Sequence, residues 1–399
     1  MKSLKPTLFI LFMIFFSCSK DDNTTSEETL FPEPSGELII SYFNNLLTLD
    51  LGTKAIQLNN TKSYNYVAES PESFFKVDRA NNTIIAYSKT NREQQWSFSP
   101  EHEDNEEIRF ANSKVHFDGQ TGSVFIHYRI VNMETFGSTY KTVKLSATTG
   151  LPQVTLTPVR ETHHHTTLGN NYFFLDRLGT DNSTWMLNKR NSILLSEQGS
   201  ITLNRFPQYL TTHNQSLIIV YANGDIVGYN EALEEIWDVN TGGTNNTSVN
   251  RSNDRLYVSS RNNKLTGIDL LTGNSRFSID TEHDRSVPLD ADASGIYFMD
   301  ANSEGISVKK HNQSGTSMWS TKLEVNLTED DSFNMKGIAL PNHLLIAIAW
   351  ENSDETYDTQ VHLIQKNNGS ELWKESSVSM SANINNLFVV SENAYYYTN

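Results

Sequence analysis

The chain has 399 residues, enough for two or three ordinary domains or one large repetitive one. Aliphatic, sulfur and aromatic residues make up 37%, sufficient for a core but lean for an enzyme of this size. A formal charge of −16, with no run of Lys or Arg to offset it, argues against nucleic acid and anionic lipid head groups as partners, because polyanions are held by basic patches.

The first element is short and apolar. Lys2 and Lys5 precede "TLFILFMIFF" (residues 7–16), a run too short to span a bilayer, so residues 1–17 read as a signal peptide. Ser17 and Cys18 follow directly, and this junction resembles the lipobox of bacterial lipoproteins, although Phe15 stands where Leu is usual. The resemblance implies cleavage before Cys18 and acylation of its new N-terminus and thiol. The alternative is a plain secretory signal. Ser19, Lys20, Asp21 and Asp22 resemble the acidic export signal that sends lipoproteins of some Gram-negative groups to the outer face of the outer membrane. They also serve as a flexible tether, since residues 18–35 are polar and interrupted by Pro. Cys18 is the one cysteine, so with it acylated no disulfide or thiolate metal site remains.

From residue 36 to 399 the chain repeats. Aligned on an apolar anchor, the copies carry Ile56, Trp96, Val154, Leu194, Trp237, Phe277, Trp319 and Trp373. The intervals lie near forty residues, stretched before Val154 and before Trp373. Each unit reads as a strand, a tight Asn/Gly/Asp turn, a second strand, a Thr-Gly or Asn-Gly turn and a third strand. "RLYVSSRNNKLTGIDLLTGNSRFSI" (255–279) is a clear copy, and weaker runs such as "SVPLDADAS" (286–294) supply a fourth strand. No window sustains a 3.6-residue period, so the expected class is all-β, with units of about 40–45 residues, the period of propeller blades.

The pattern L-x-x-x-D-x-x-T-G-x-x-x-W, best in 255–279, 295–320 and 344–374, resembles the pyrroloquinoline-quinone-type (quinoprotein-like) β-propeller repeat. The resemblance implies a β-propeller of four-stranded blades, eight by the anchor count, in which Trp96, Trp237, Phe277, Trp319 and Trp373 pack between blades rather than stack on a ligand. The alternative is seven blades with one distorted unit, since the copy around Trp185 and Leu194 is poor. The segment 37–58 lacks an inner strand and the segment 386–399 lacks an outer one, so both ends are expected to share one closing blade.

Candidate chemistry is sparse. Quinoprotein dehydrogenases of this fold hold a quinone and Ca²⁺ beside a pair of adjacent cysteines; no such pair exists here, and quinone-dependent dehydrogenation is not expected. The acidic stretches 101–107, with Glu101 and Asp104, and 351–358, with Glu351, Asp354 and Asp358, lie in the loops that stretch the repeat. They are the candidate binding rim. In "ETHHHTT", strand alternation would put His163 and His165 on one face, with Glu161 beside them and His127 or His213 as a third metal ligand. The alternative is a solvated connector. "DADASG" (290–295) opens like a Ca²⁺ loop, but Ala301 stands where the bidentate Glu belongs. No nucleophile elbow, zinc motif or phosphate-cradling loop is present.

The reading is therefore an outer-membrane, surface-displayed lipoprotein, held to the membrane by its lipid anchor, whose propeller is a non-enzymatic scaffold for protein partners. No cofactor is expected, with Ca²⁺ as the exception. It is similar in architecture to the propeller lipoprotein of the outer-membrane barrel-assembly machinery, which faces the periplasm instead. The alternatives are a glycan-binding accessory protein, or a polysaccharide lyase or hydrolase with a His/Tyr/Arg or carboxylate set in the central funnel.

Overall fold

The D-x-x-T-G stretches fold as tight turns, and the side chains explain why. In "DLLTG" the Asp269 carboxylate accepts hydrogen bonds from the backbone N–H of Leu271 (3.1 Å) and Thr272 (3.0 Å) and from the Thr272 hydroxyl (2.9 Å). Asp50 does the same for Gly52 and Thr53. Gly273 then takes a left-handed conformation, φ 71°, and reverses the chain. Alternating segments on either side of such turns pair as antiparallel strands.

The computed structural model describes residues 32–397 apart from 43–45, 60–63, 79–80, 111–114, 158–159, 161, 179–183, 243–247, 253, 261–262, 282–285, 303–304, 326–332, 353, 355, 380–382, 385 and 392–394. Among the described residues every regular element is a strand, and the strands form eight antiparallel sheets. Seven run in chain order: blade 2 (64–98), blade 3 (106–156), blade 4 (162–203), blade 5 (207–240), blade 6 (248–280), blade 7 (287–323) and blade 8 (333–379). Blade 1 is built from both ends of this region, in the order Ile56–Asn59, Leu46–Asp50, Glu37–Ser41, Asn386–Val390, Tyr395–Tyr397. Residues 37–41 pair with 386–390 in unbroken register, Glu37 opposite Val390 and Ser41 opposite Asn386. Inner strands of most successive blades touch one another about the axis, as Ser248–Ser252 touches Val287–Asp292. The protein is an eight-bladed β-propeller. The seven-blade alternative fails because the poor copy around Trp185 is a complete four-stranded sheet.

The core is a ring of seams. Buried apolar side chains fall into eight clusters, each drawn from two adjacent blades, and every seam has one, including 8/1 and 1/2. The aromatic four residues after a left-handed turn packs on the left-handed turn of the next blade. A Cβ on Gly150 would stand 2.6 Å from the Trp96 ring, one on Gly273 2.6 Å from Trp237, one on Gly315 2.8 Å from Phe277 and one on Gly369 2.8 Å from Trp319. Glycine there serves both the turn and the ring. Trp96 and Trp319 also donate from Nε1 to the carbonyls of Ala147 (2.8 Å) and Lys366 (2.9 Å), three residues before those glycines. Trp373 of blade 8 meets Lys54, the left-handed residue of blade 1, whose ammonium lies 5.3 Å from the ring centre.

Two expected anchors are corrected. Blades 2 to 8 each have a bulge between their last two strands, whereas blade 1 pairs straight through, Leu47 opposite Leu58 and Thr48 opposite Gln57. Without the bulge its outer strand is slipped by one residue, so Ile56 turns back to the seam with blade 8. In blade 4 the left-handed residue is Leu195, the position four later is Gly199, and Leu194 lies exposed in the turn.

Candidate functional site

Blades 3 and 8 are longer than their neighbours. Second and third strands elsewhere have five to eight residues. Blade 3 has strands of ten (Ser123–Asn132) and nine (Ser138–Ser146), and blade 8 has three of nine (His343–Glu351, Tyr357–Gln365 and Glu371–Ser379). Strand direction alternates across each sheet. The hairpins between second and third strands therefore share one face of the ring with the loops between blades. Both acidic stretches lie on that face.

At the blade 3 tip, Asn132 Oδ1 accepts from the N–H of Glu134 (3.1 Å) and Thr135 (2.8 Å) and from the Thr135 hydroxyl (3.0 Å). Phe136 follows with φ 57°, a conformation costly for an aromatic residue, and stays 76% exposed, with Met133 at 47% beside it. The acidic loop is fastened to this hairpin. Met133 N–H donates to the Asn105 carbonyl (2.8 Å), and Glu106 and Glu107 pair with Asn132 and Val131. Arg109, 2.6 Å from Glu107, holds that carboxyl below its usual range. Burial, with the Glu101 carboxylate nearby as a smaller cause, pushes the Tyr128 hydroxyl up to about 12. The tip is an apolar knob beside an acidic loop.

The other rim residues bond within their own hairpin. Asp354 accepts from the Thr356 N–H (3.1 Å) and hydroxyl (2.6 Å), and Asp358 accepts from Asn352 Nδ2 (3.0 Å). Glu351 accepts from the Tyr357 hydroxyl (3.5 Å). These three carboxylates come together on one hairpin and brace it.

The structure parts His163 from His165. The register skips His163 between Thr162 opposite Asp176 and His164 opposite Leu175, and this bulge breaks the alternation. The His163 ring meets Trp185, which faces blade 5, at 4.8 Å. The His165 ring lies 4.2 Å from His127 and 5.8 Å from His116, at the seam with blade 3. There the Tyr172 hydroxyl bridges His127 Nε2 (2.6 Å) and His165 Nδ1 (3.1 Å), and the Thr142 hydroxyl meets His127 Nδ1 (2.7 Å). Desolvation holds His127 down to about 3 and His116 to about 4. Among the described residues no three His, Cys, Asp or Glu are placed to hold a metal. His213 stands apart at blade 5, 3.5 Å from the Arg251 guanidinium. Glu161, Cys18, Ser19, Lys20, Asp21 and Asp22 lie outside the described residues. Asp290 and Asp292 belong to a strand rather than a loop. Asp290 accepts from Ala339 N–H (2.6 Å) and Ala291 N–H (2.8 Å), and Asp292 pairs with Lys366.

Sequence reasoning set His127 with His165 only as metal ligands; it missed their burial, the Tyr172 hydroxyl that bridges them and the Phe136 knob. In "SVFIHYRI" His127 shares the apolar face of Phe125, a signal of burial, but the pairing partner sits on another blade.

No family model matches the chain, and no curated protein matches it. Among solved structures it is similar to BamB from Moraxella catarrhalis, 14% identical over 84% of this chain and 97% of that one, with a TM-score of 0.52. It is also similar to dihydro-heme d1 dehydrogenase NirN in complex with DHE, 8% identical over 88% of this chain and 75% of that one, with a TM-score of 0.58. At such identities the likeness is one of fold, and the same fold serves unlike chemistry.

Proposed function

We propose that this chain is a lipid-anchored, non-enzymatic propeller scaffold that binds a protein partner through the blade 3 hairpin. Exposure of Phe136, held at φ 57° beside Met133 on a hairpin fastened to the acidic loop 101–107, is the observation that carries this reading. An aromatic kept in water in a costly backbone conformation suits an anchor that fills a socket on a partner. The acidic loop favours a partner surface bearing Lys or Arg and gives encounter a salt dependence. The resemblance of the Cys18 junction to a lipobox, and of Asp21 and Asp22 to an export signal, supports anchoring at the outer membrane with the propeller on the cell surface. The lyase or hydrolase reading gains little from the His127–His165–Tyr172 network, because both nitrogens of His127 are engaged and the ring is buried.

The test is site-specific photocrosslinking in intact cells, with a photoreactive phenylalanine at Phe136 and, as control, at Leu271, exposed in the turn of blade 6. A discrete adduct from position 136 alone, weakened by salt and by Met133→Ser, is expected. Adducts indistinguishable from those at position 271 would refute the docking role. Cys18→Ala in the same cells should move the protein out of the membrane fraction, since anchoring rests on about 0.8 kcal/mol per buried CH₂ of the acyl chains.

A further inference from the structure

A second feature lies on blade 8 and owes nothing to the knob. Trp350, Asp358 and Val378 stand opposite one another on the three long strands, and Gln360 and Ser376 form the next row. They share the sheet face turned toward blade 7, whose outer strand ends at Leu323. The strands of blade 8 overrun that end, and the part of the sheet that no described residue of blade 7 covers floors a cleft of about 760 Å³, within the usual range of small-ligand sites. Glu324, just past the end of blade 7, reaches Lys374 on blade 8 (2.8 Å) and closes one side.

The lining selects a chemistry. Gln360 is 8% exposed; its Nε2 donates to the Ser376 hydroxyl (3.2 Å), but its Oε1 accepts from no group among the described residues. A buried acceptor left over at the floor of a cleft calls for a donor from outside. Its terminal amide turns about a soft torsion, so an entering hydroxyl can be met. Asp358, which gives one oxygen to Asn352, brings a carboxylate to the lining, while the 63% exposed Val378 and the edge of the buried Trp350 form an apolar wall for the C–H face of a ring. The one ammonium among the described lining residues, Lys374, is already paired with Glu324, which leaves Asp358 to repel an anion.

We infer that the cleft between blades 7 and 8 binds a neutral, hydroxyl-rich ligand, a saccharide. The test is titration calorimetry of the full-length chain with neutral hexasaccharides of the gluco, manno and xylo series and with hexagalacturonate as the anionic contrast. Binding of at least one neutral series below about 1 mM is expected, with hexagalacturonate silent. Gln360→Met should weaken that binding by about tenfold while the melting temperature changes little, because losing the bond to Ser376 is offset by removing a buried acceptor that has no partner among the described residues. Val378→Trp, at an exposed position, should fill the cleft and abolish binding without touching the core. The inference is overturned if no neutral hexasaccharide binds, if hexagalacturonate binds as tightly, or if Val378→Trp binds like the parent. None of these outcomes bears on the Phe136 adduct, so the two readings fail separately.

Discussion

His127 shows how a single residue in a seam acquires a pH signature. Hydroxyls sit on both its ring nitrogens, and a hydroxyl can donate to one or accept from the other, so the neutral ring is fully satisfied. Desolvation holds it down to about 3, against about 6.5 in the unfolded chain. A depressed pKa contributes stability that is present above the unfolded value and lost as pH falls, here between 6.5 and 3, by about 1.4 kcal/mol per pH unit. Asp176 in blade 4 has the opposite sign. Burial pushes it up to about 7, against the hydrogen bonds donated by Thr162 (3.2 Å) and Asn188 (3.1 Å). Its contribution is present below the unfolded value of 3.8 and is lost as pH rises through about 7. Within the window from 4 to 6.5 the two groups offset one another. Asp176→Asn should therefore melt above the parent at pH 8, where the parent buries a carboxylate. The advantage should shrink to nothing by pH 4. A difference that stays constant across that range would mean that Asp176 titrates alike in both states.

Between blades, the energetic unit is an aromatic on a glycine. Trp319→Ala should cost about 3–5 kcal/mol, the usual loss on emptying a buried large aromatic. Gly369→Ala should also destabilise, since φ 79° disfavours any Cβ and this one would stand 2.8 Å from the Trp319 ring. Gly122→Ala separates the two causes: φ is +61° there but nothing lies within 4 Å, so only the backbone cost of about 1–2 kcal/mol should appear. The double variant of Trp319 and Gly369 should cost less than the sum of the singles, because the removed ring vacates the space that the new methyl needs. Additive melting shifts would show that the two do not meet. This unit was legible in the chain because it is local: Asp, Thr, Gly and the aromatic lie within nine residues, as in Asp269 to Phe277. What sequence reading misplaced depends on pairing across strands. The bulge at His163 turned it away from His165, the missing bulge in blade 1 turned Ile56 back to blade 8, and Gly199 broke the aromatic series. A bulge is chosen by the partner strand, and no periodicity within one segment announces it. The candidate rim was half legible. Acidic composition marked the two loops, but that Asp354 is consumed by its own turn, while Phe136 stays bare, required the hydrogen bonds.

The whole ring depends on one strand. Leu387 and Val389 pack in the seam with blade 8, while Phe388 and Val390 pack in the seam with blade 2, so residues 387–390 serve two of the eight seams at once. The strand also covers Glu37–Ser41, which would otherwise be the bare inner edge of blade 1. Gly36 brings the backbones together so closely that a Cβ there would lie 2.0 Å from the Val390 carbonyl oxygen. Deleting residues 386–399 would open both seams and expose unpaired backbone groups next to apolar faces, and other chains are the partners at hand. We expect aggregation or sharply reduced soluble yield rather than a modest drop in melting temperature. Deleting residues 392–399 alone removes the short strand Tyr395–Tyr397 and leaves residues 386–390 paired, so this shorter truncation should remain monomeric by light scattering and melt near the parent. The comparison separates closure from mere loss of a terminal segment, because terminal segments are commonly dispensable. A monomeric 386–399 deletion with an unchanged melting transition would mean that the other seams carry the ring and that the two-ended blade adds nothing to its stability.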